Sequence, residues 1–271
     1  MMKIFDFNIH LPYIKHEDVN VVIAQDMSLG ADGIQQGFDT HKHILKDCTG
    51  ANFLLFNTKL FDTDVSAFFQ QVNSSLNIKK YTALIDFRRT DIKDYIDNLV
   101  KSGVNAVMVN SYLQQIEDHD FNTVLKAFQY AEQKGLIICI DGSYGTSKMY
   151  TYDNMKLACF IADHVTKVPI VIVHAGGYRL IEAMALASDK KNVWLDTSFS
   201  LPYYENSSIE IDFAFVLKKM NSERIVFGTD HPYIEFNEGL QKHINFFNKH
   251  QFNEVDIEKI LYSNAIKLFD A

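Results

Sequence analysis

The sequence predicts a (β/α)8 barrel in a single domain. Eight short apolar runs recur along the 271 residues, segments of helical spacing lie between them, and the runs are continuous rather than alternating. Continuous runs rich in Val, Ile, Leu and Phe mark strands buried on both faces of a parallel sheet. Eight strand-then-helix units in a chain of this length fit a closed barrel. The alternative, an open doubly wound sheet, is disfavoured because no glycine-rich phosphate fingerprint follows any run.

The runs are MKIFDFNI (2–9), ANFLLFN (51–57), YTALIDF (81–87), VNAVMVN (104–110), GLIICID (135–141), PIVIVH (169–174), NVWLDTS (192–198) and RIVFGTD (224–230). Helices are expected over 63–76, 89–102, 119–134, 150–166, 178–189, 208–220, 238–249 and 254–268. In DIKDYIDNLV, Ile92, Tyr95, Ile96 and Leu99 share one stripe, the pattern of a surface helix with one buried face. Gly103, Gly135 and Asn192 mark helix ends just before a strand. Pro169 opens its strand, where it removes no ladder bond. Residues 11–50, with DMSLGADGIQQGFDTHKH, lack a period and are expected to form a long first loop over the barrel mouth.

Composition narrows the class. A chain that is 47% apolar and 22% charged can bury a large core. Its formal charge of −8 and the absence of any Lys/Arg cluster beyond pairs such as Arg88-Arg89 and Lys190-Lys191 disfavour a nucleic-acid partner. The three cysteines, Cys48, Cys139 and Cys159, are odd in number and lack Cys-x-x-Cys spacing, which points to a reducing, cytoplasmic setting. No signal peptide or membrane span is predicted, since no apolar run approaches 18 residues. Oligomeric state stays open: INFFNKHQF and IDFAFVLKKM suit either a homo-oligomer interface or core packing.

Catalytic groups of a barrel come from the carboxyl ends of several strands. Here strand one ends with Asn8 and His10, two apart and so on one face. Strand five ends at Asp141, strand six at His174, strand seven at Asp196 and strand eight at Asp230. A single strand-end Asp is most often a turn residue. Polar groups at the same end of five strands instead predict a functional mouth.

The blocks IFDFNIH, GVNAVMVN, GLIICIDGS, PIVIVHAGG, NVWLDTS, RIVFGTDHPY and ILYSNAIKLF resemble successive barrel segments of the amidohydrolase superfamily, in its amidohydrolase-related branch of metal-dependent hydrolases and decarboxylases. The resemblance runs from residue 3 to about 269 and is weak over 11–80. It implies His-x-His on strand one, one histidine each from strands five and six, and an aspartate from strand eight. This chain supplies His10, His174 and Asp230 at three of those positions, with Asn8 and Asp141 where two histidines would stand. The set Asn8, His10, Asp141, His174 and Asp230 would form a mixed oxygen and nitrogen site for zinc or manganese. Loss of two imidazoles would equally remove tight metal binding, and the same branch includes lactonases that use no metal.

Asp230, His174 and His10 are therefore the catalytic candidates: Asp230 as the base for water, His174 or an ion polarising a carbonyl. Arg179, Asp141, Asn110, Tyr144 and His231 are substrate-binding candidates, with Arg179 and Lys148 available to hold an anionic substrate. Tyr144, Tyr178, Tyr203, Tyr204 and Tyr233 follow strand ends and would line a pocket for a ring or sugar. His41 and His43 repeat the His-x-His spacing but read as a solvated loop. The leading expectation is a hydrolase of a carbonyl, lactone, ester or amide bond in a small polar, anionic molecule. The alternatives are a metal-dependent decarboxylase, and a barrel without catalysis that binds a small molecule or a protein.

Overall fold

The structure is a computed structural model and describes residues 2–11, 46, 48–55, 78–144 and 147–270. Eight parallel strands run in sequence order: β1 Phe5–Leu11, β2 Gly50–Leu55, β3 Ile78–Leu84, β4 Ala106–Val109, β5 Ile137–Asp141, β6 Ile170–Val173, β7 Val193–Asp196 and β8 Ile225–Val226. Residues 226–231 return alongside β1, where Phe7 N donates to Phe227 O at 2.9 Å and His10 N to His231 O at 2.8 Å. A parallel bridge between Ile9 and His231 nearly completes the barrel. The (β/α)8 expectation therefore holds, with all eight runs found as strands.

The longer described helices are α1 Ile92–Lys101, α2 Phe121–Gln133, α3 Asn154–Ala162, α4 Leu180–Asp189, α5 Ser208–Lys219 and α6 Phe236–Lys249, with single helical turns at Lys148–Thr151 and Ser200–Tyr203, followed by a final helical stretch, 254–269, with a π-helical turn at Lys259–Ser263. Ile96 and Leu99 are the buried residues of α1, as its stripe predicts. Gly103 and Gly135 follow α1 and α2 at positive φ. Two of the differences from the expected boundaries have a local cause. β3 begins at Ile78, because its first residues, including Lys79 and Lys80, are only half-buried and give no apolar run. The helix expected over 150–166 breaks at Asp153, whose carboxylate accepts from Lys156 N at 3.0 Å and starts a new helix. The predicted helix 63–76, the loop over 12–45 and the pair His41 and His43 lie outside the described residues.

Two apolar layers build the core. The outer one, with Phe53, Phe128, Phe213 and Phe247, fills the space between strands and helices. The inner one, with Phe5, Phe7, Leu54, Met108, Cys139, Val171 and Trp194, fills the barrel and is closed below by Leu268 and Phe269 of the final helix. The Phe5 and Phe269 rings meet at 5.7 Å. Packing that plug at the amino ends of the strands leaves the carboxyl ends for the polar groups. An irregularity in β1 between Asp6 and Ile9 changes its parity. Phe5 and Phe7 belong to the inner layer and Ile9 to the outer one, while Asn8, within the irregularity, and His10, past it, reach the barrel mouth.

Candidate active site

A cavity of about 180 Å³ opens at the carboxyl ends of the strands. His10, Asp141, His174 and Asp230 bring titratable groups to its wall, as their strand-end positions predict, and all four are at least nine-tenths buried or close to it. His10 Nε2 lies 2.9 Å from Asp230 Oδ1. Across the cavity, His174 Nε2 is 3.9 Å from Asp141 Oδ2. The site is thus two imidazole and carboxylate couples, one from β1 and the turn after β8, the other from β5 and β6.

The backbone that presents them is unusual. Asp230 sits at φ 64° and His174 at φ 59°, followed by Ala175 at 50°, with Phe199 of the same mouth at 55°. Non-glycine residues are uncommon in this left-handed region, at a cost on the order of 1 kcal/mol or more each, and they collect where surrounding structure holds a functional geometry. For Asp230 the holding contact is direct: its N–H donates to Asn8 O at 2.9 Å.

Below the cavity floor lies a polar network that explains Asn8. Its Nδ2 donates to Ser198 Oγ at 2.7 Å and to Asp196 Oδ2 at 3.3 Å. Ser198 also hydrogen-bonds to Asp196, and its backbone carbonyl and hydroxyl lie 3.1 and 3.0 Å from His174 Nδ1. His174 is therefore pinned through Nδ1, which leaves Nε2 facing Asp141 and the cavity. Gly228 is required here by close approach, because a Cβ on it would lie 2.7 Å from Asp196 Oδ1 and 3.0 Å from Asn8 Cβ. Asp6 anchors the same floor, accepting from Asn8 N, Thr229 N and the Thr229 hydroxyl at 3.0, 3.0 and 2.6 Å.

Electrostatics follows from this burial. Burial disfavours the His174 imidazolium, but the carboxylates of Asp230, Asp141 and Asp196 outweigh it and raise its pKa. Burial pushes Asp196 up as well, and pushes Asp6 up to about 7 in spite of its three donors. The Tyr112 phenol is pushed up to about 12 by burial and then by the charge of Asp141, so it is a neutral donor across the working range.

The remaining predicted residues are placed as follows. Tyr144, Tyr204 and Tyr233 line the cavity, and the His10 ring meets the Tyr233 ring edge-on at 5.1 Å. Asn110 is buried beside it, with Oδ1 accepting from Leu113 N at 2.8 Å, and does not line the wall. His231 is buried behind it, its Nδ1 3.7 Å from Glu235 Oε2. Arg179 is not brought to the couples. It lines an adjoining hollow with Tyr150, Asp153, Tyr178 and Glu182, bonded to Asp153 Oδ1 at 2.7 Å, to Glu182 Oε2 at 2.8 Å and to the Tyr144 hydroxyl. Tyr112, Ser198 and Phe199 went unseen. Met108, Asn110 and Tyr112 continue the period of two from β4, and Asp196 and Ser198 do the same from β7, so parity carried past the apolar run would have found two of the three.

The donor set does not fit a tightly held divalent ion. Among the described residues, no three His, Cys, Asp or Glu side chains form a metal-binding group. Of the five expected ligands, Asn8 is fully buried with its amide turned to Ser198 and Asp196, and only its neutral carbonyl oxygen lacks a hydrogen-bond partner. One such weak ligand does not replace an imidazole.

A family model described as Amidohydrolase matches residues 81–271. The chain belongs to the amidohydrolase family. No curated protein sequence matches it. Among solved structures it is similar to a probable 2-pyrone-4,6-dicarboxylic acid hydrolase from Acinetobacter baumannii, solved with citric acid bound, at 15% identity and TM-score 0.65 over 100% of both chains. It also resembles an amidohydrolase from Burkholderia multivorans with bound zinc, at 11% identity and TM-score 0.68 over 99% of each chain. A third is the 5-carboxyvanillate decarboxylase from Sphingomonas paucimobilis, at 13% identity and TM-score 0.64 over 100% of this chain and 99% of that one. At these identities the likenesses show the barrel fold. Membership of the family points to an enzyme of the amidohydrolase kind. No described helix is long and apolar enough to cross a membrane.

Proposed function

We propose that this amidohydrolase-family barrel hydrolyses a lactone, ester or related carbonyl bond of a small molecule, using its own side chains to move the proton. The observation that carries the reading is the His10 and Asp230 couple, 2.9 Å apart, facing the His174 and Asp141 couple across one cavity. Asp230, oriented by His10, takes a proton from water as the water oxygen bonds to the substrate carbonyl carbon. His174, whose charged form its carboxylate neighbours favour, faces the oxygen on which negative charge develops. The carbon to leaving-oxygen bond then breaks, and the proton on Asp230 passes to the leaving oxygen.

A decarboxylase of this family would need an ion to hold the carboxylate, and the donor set gives that reading no support. The test is turnover of a panel of lactones and esters, followed by proton release, with wild type beside Asp230→Asn. General-base catalysis contributes roughly 10²–10⁴-fold, so Asp230→Asn should lose that much kcat with an unchanged unfolding midpoint. Near-wild-type turnover in the variant would remove Asp230 from the mechanism.

A further inference from the structure

The charge and the walls of the cavity narrow its substrate. Its lining holds two carboxylates, Asp141 and Asp230, and among the described residues no Lys or Arg. Arg179, the guanidinium expected to meet an anion, faces the adjoining hollow and is already engaged by Asp153 and Glu182. A carboxylate on the substrate would enter beside two buried carboxylates with, among the described lining residues, only imidazoles to answer it, and like charges in a desolvated site repel strongly.

Much of the remaining lining is aromatic, with Leu54, Met108 and Met149 beside the rings and Ser143 and Ser200 the other polar side chains. Tyr112, Tyr144, Phe199, Tyr204 and Tyr233 supply five rings. Two of them stand beside the catalytic imidazoles: Tyr233 edge-on to His10 at 5.1 Å and Phe199 edge-on to His174 at 6.1 Å. Phe199 is backed by Tyr203, stacked on it at 5.1 Å and tilted by only 18°. Rings fixed on both sides of the reacting position favour a planar guest that can stack or present its edge, over a puckered one of the same size.

We infer that the substrate is an uncharged, planar ring compound, an aromatic or unsaturated lactone or ester without a carboxylate of its own. This rests on the hydrolase reading for the bond that is cleaved, and on lining chemistry alone for the ligand class. It departs from the anionic substrate that the sequence suggested, because that expectation leaned on Arg179, which faces the adjoining hollow, and on Lys148, which is exposed and does not line the cavity.

The experiment measures binding apart from turnover, by calorimetric titration of the wild-type protein with three lactams that resist hydrolysis. These are 2-pyridone, 2-pyridone-6-carboxylate and δ-valerolactam, the last neutral but puckered. 2-Pyridone should bind at least about tenfold more tightly than either of the others. Asp141→Asn should narrow the gap to the carboxylate, and Phe199→Leu the gap to valerolactam. Equal or tighter binding of the carboxylate, equal binding of valerolactam, or no binding of 2-pyridone would each overturn the inference. Hydrolysis of 2-pyrone is followed separately. If the lactams rank as expected and 2-pyrone is left intact, the hydrolase reading fails while the ligand class stands.

Discussion

His243 gives a prediction that can be worked through without knowing the substrate. It lies on α6, fully buried, with Nδ1 2.8 Å from Gly239 O and Nε2 2.9 Å from Thr197 Oγ1, and the Phe227 ring against it at 4.8 Å. A ring that donates through Nδ1 and accepts through Nε2 is neutral. Burial among aromatic side chains lowers its pKa from 6.5 to about 4. The unfolded chain binds a proton here below pH 6.5 that the folded chain refuses until about pH 4. Stability is therefore fully present above 6.5 and is lost as pH falls through that window. At 1.36 kcal/mol per unit the ceiling is about 3 kcal/mol, of which about 2 kcal/mol is lost by pH 5. Urea unfolding at pH 7.5 and pH 5 checks it, with His243→Gln as the reference in which every other titrating group cancels. The wild type should lose about 2 kcal/mol more than the variant across that interval. Equal losses in the two proteins would refute the assignment of a neutral, desolvated His243.

Other outcomes follow from the same structure. Phe128→Ala empties a fully buried position on α2 and should cost about 3–5 kcal/mol in urea unfolding; a loss under 1 kcal/mol would mean the site collapses freely. Added zinc or manganese should leave the unfolding midpoint where it is, because a rise that grows with ion concentration is the signature of a bound ion. His174 runs opposite in sign to His243: its pKa is raised, so a rate that needs its imidazolium should be full at low pH and fall as pH rises through that raised value. A pH profile flat on its alkaline side would exclude a cationic His174. Ser198→Ala removes a contact to His174 Nδ1 and the acceptor for Asn8 Nδ2, and should lower kcat more than it raises KM.

The barrel was legible because parallel strands buried on both faces leave continuous apolar runs, and all eight did. Where a strand began with half-buried polar residues, as Lys79 and Lys80 do, the run started late. The helix break at Asp153 was missed because apolar spacing continued across a cap that acts through one hydrogen bond. At the site, strand-end position was enough to find His10, Asp141, His174 and Asp230, since a barrel converts sequence position into height along its axis. Loop residues have no such rule. Arg179 was placed at the mouth by its nearness to His174 in sequence, but the turn between them carries three residues at positive φ and turns the guanidinium to the next hollow.

Asn8, at the position where the family resemblance implies a histidine, is held by its surroundings. A fully buried amide whose donors were left unpaired would cost about 1–3 kcal/mol. Here that amide lies against a hydroxyl and a carboxylate two residues apart on the neighbouring strand end, Ser198 and Asp196, and they in turn fix His174. The floor of the cavity is thus a continuous hydrogen-bonded layer running from Asp6 through Asn8 to Asp196 and Ser198. Its effect on chemistry is indirect. It holds one imidazole by Nδ1 so that Nε2 reaches the cavity, and through Asn8 O it holds the Asp230 backbone in the strained conformation that meets His10. An Asn8→Ala change removes the amide and keeps the main-chain carbonyl, so it should disturb the His174 couple and leave the His10 and Asp230 couple, lowering stability by about 1–3 kcal/mol through the partners it strands and lowering turnover further than any loss of binding explains. If turnover survives with only the stability loss, the layer is structural and the couples hold their geometry without it.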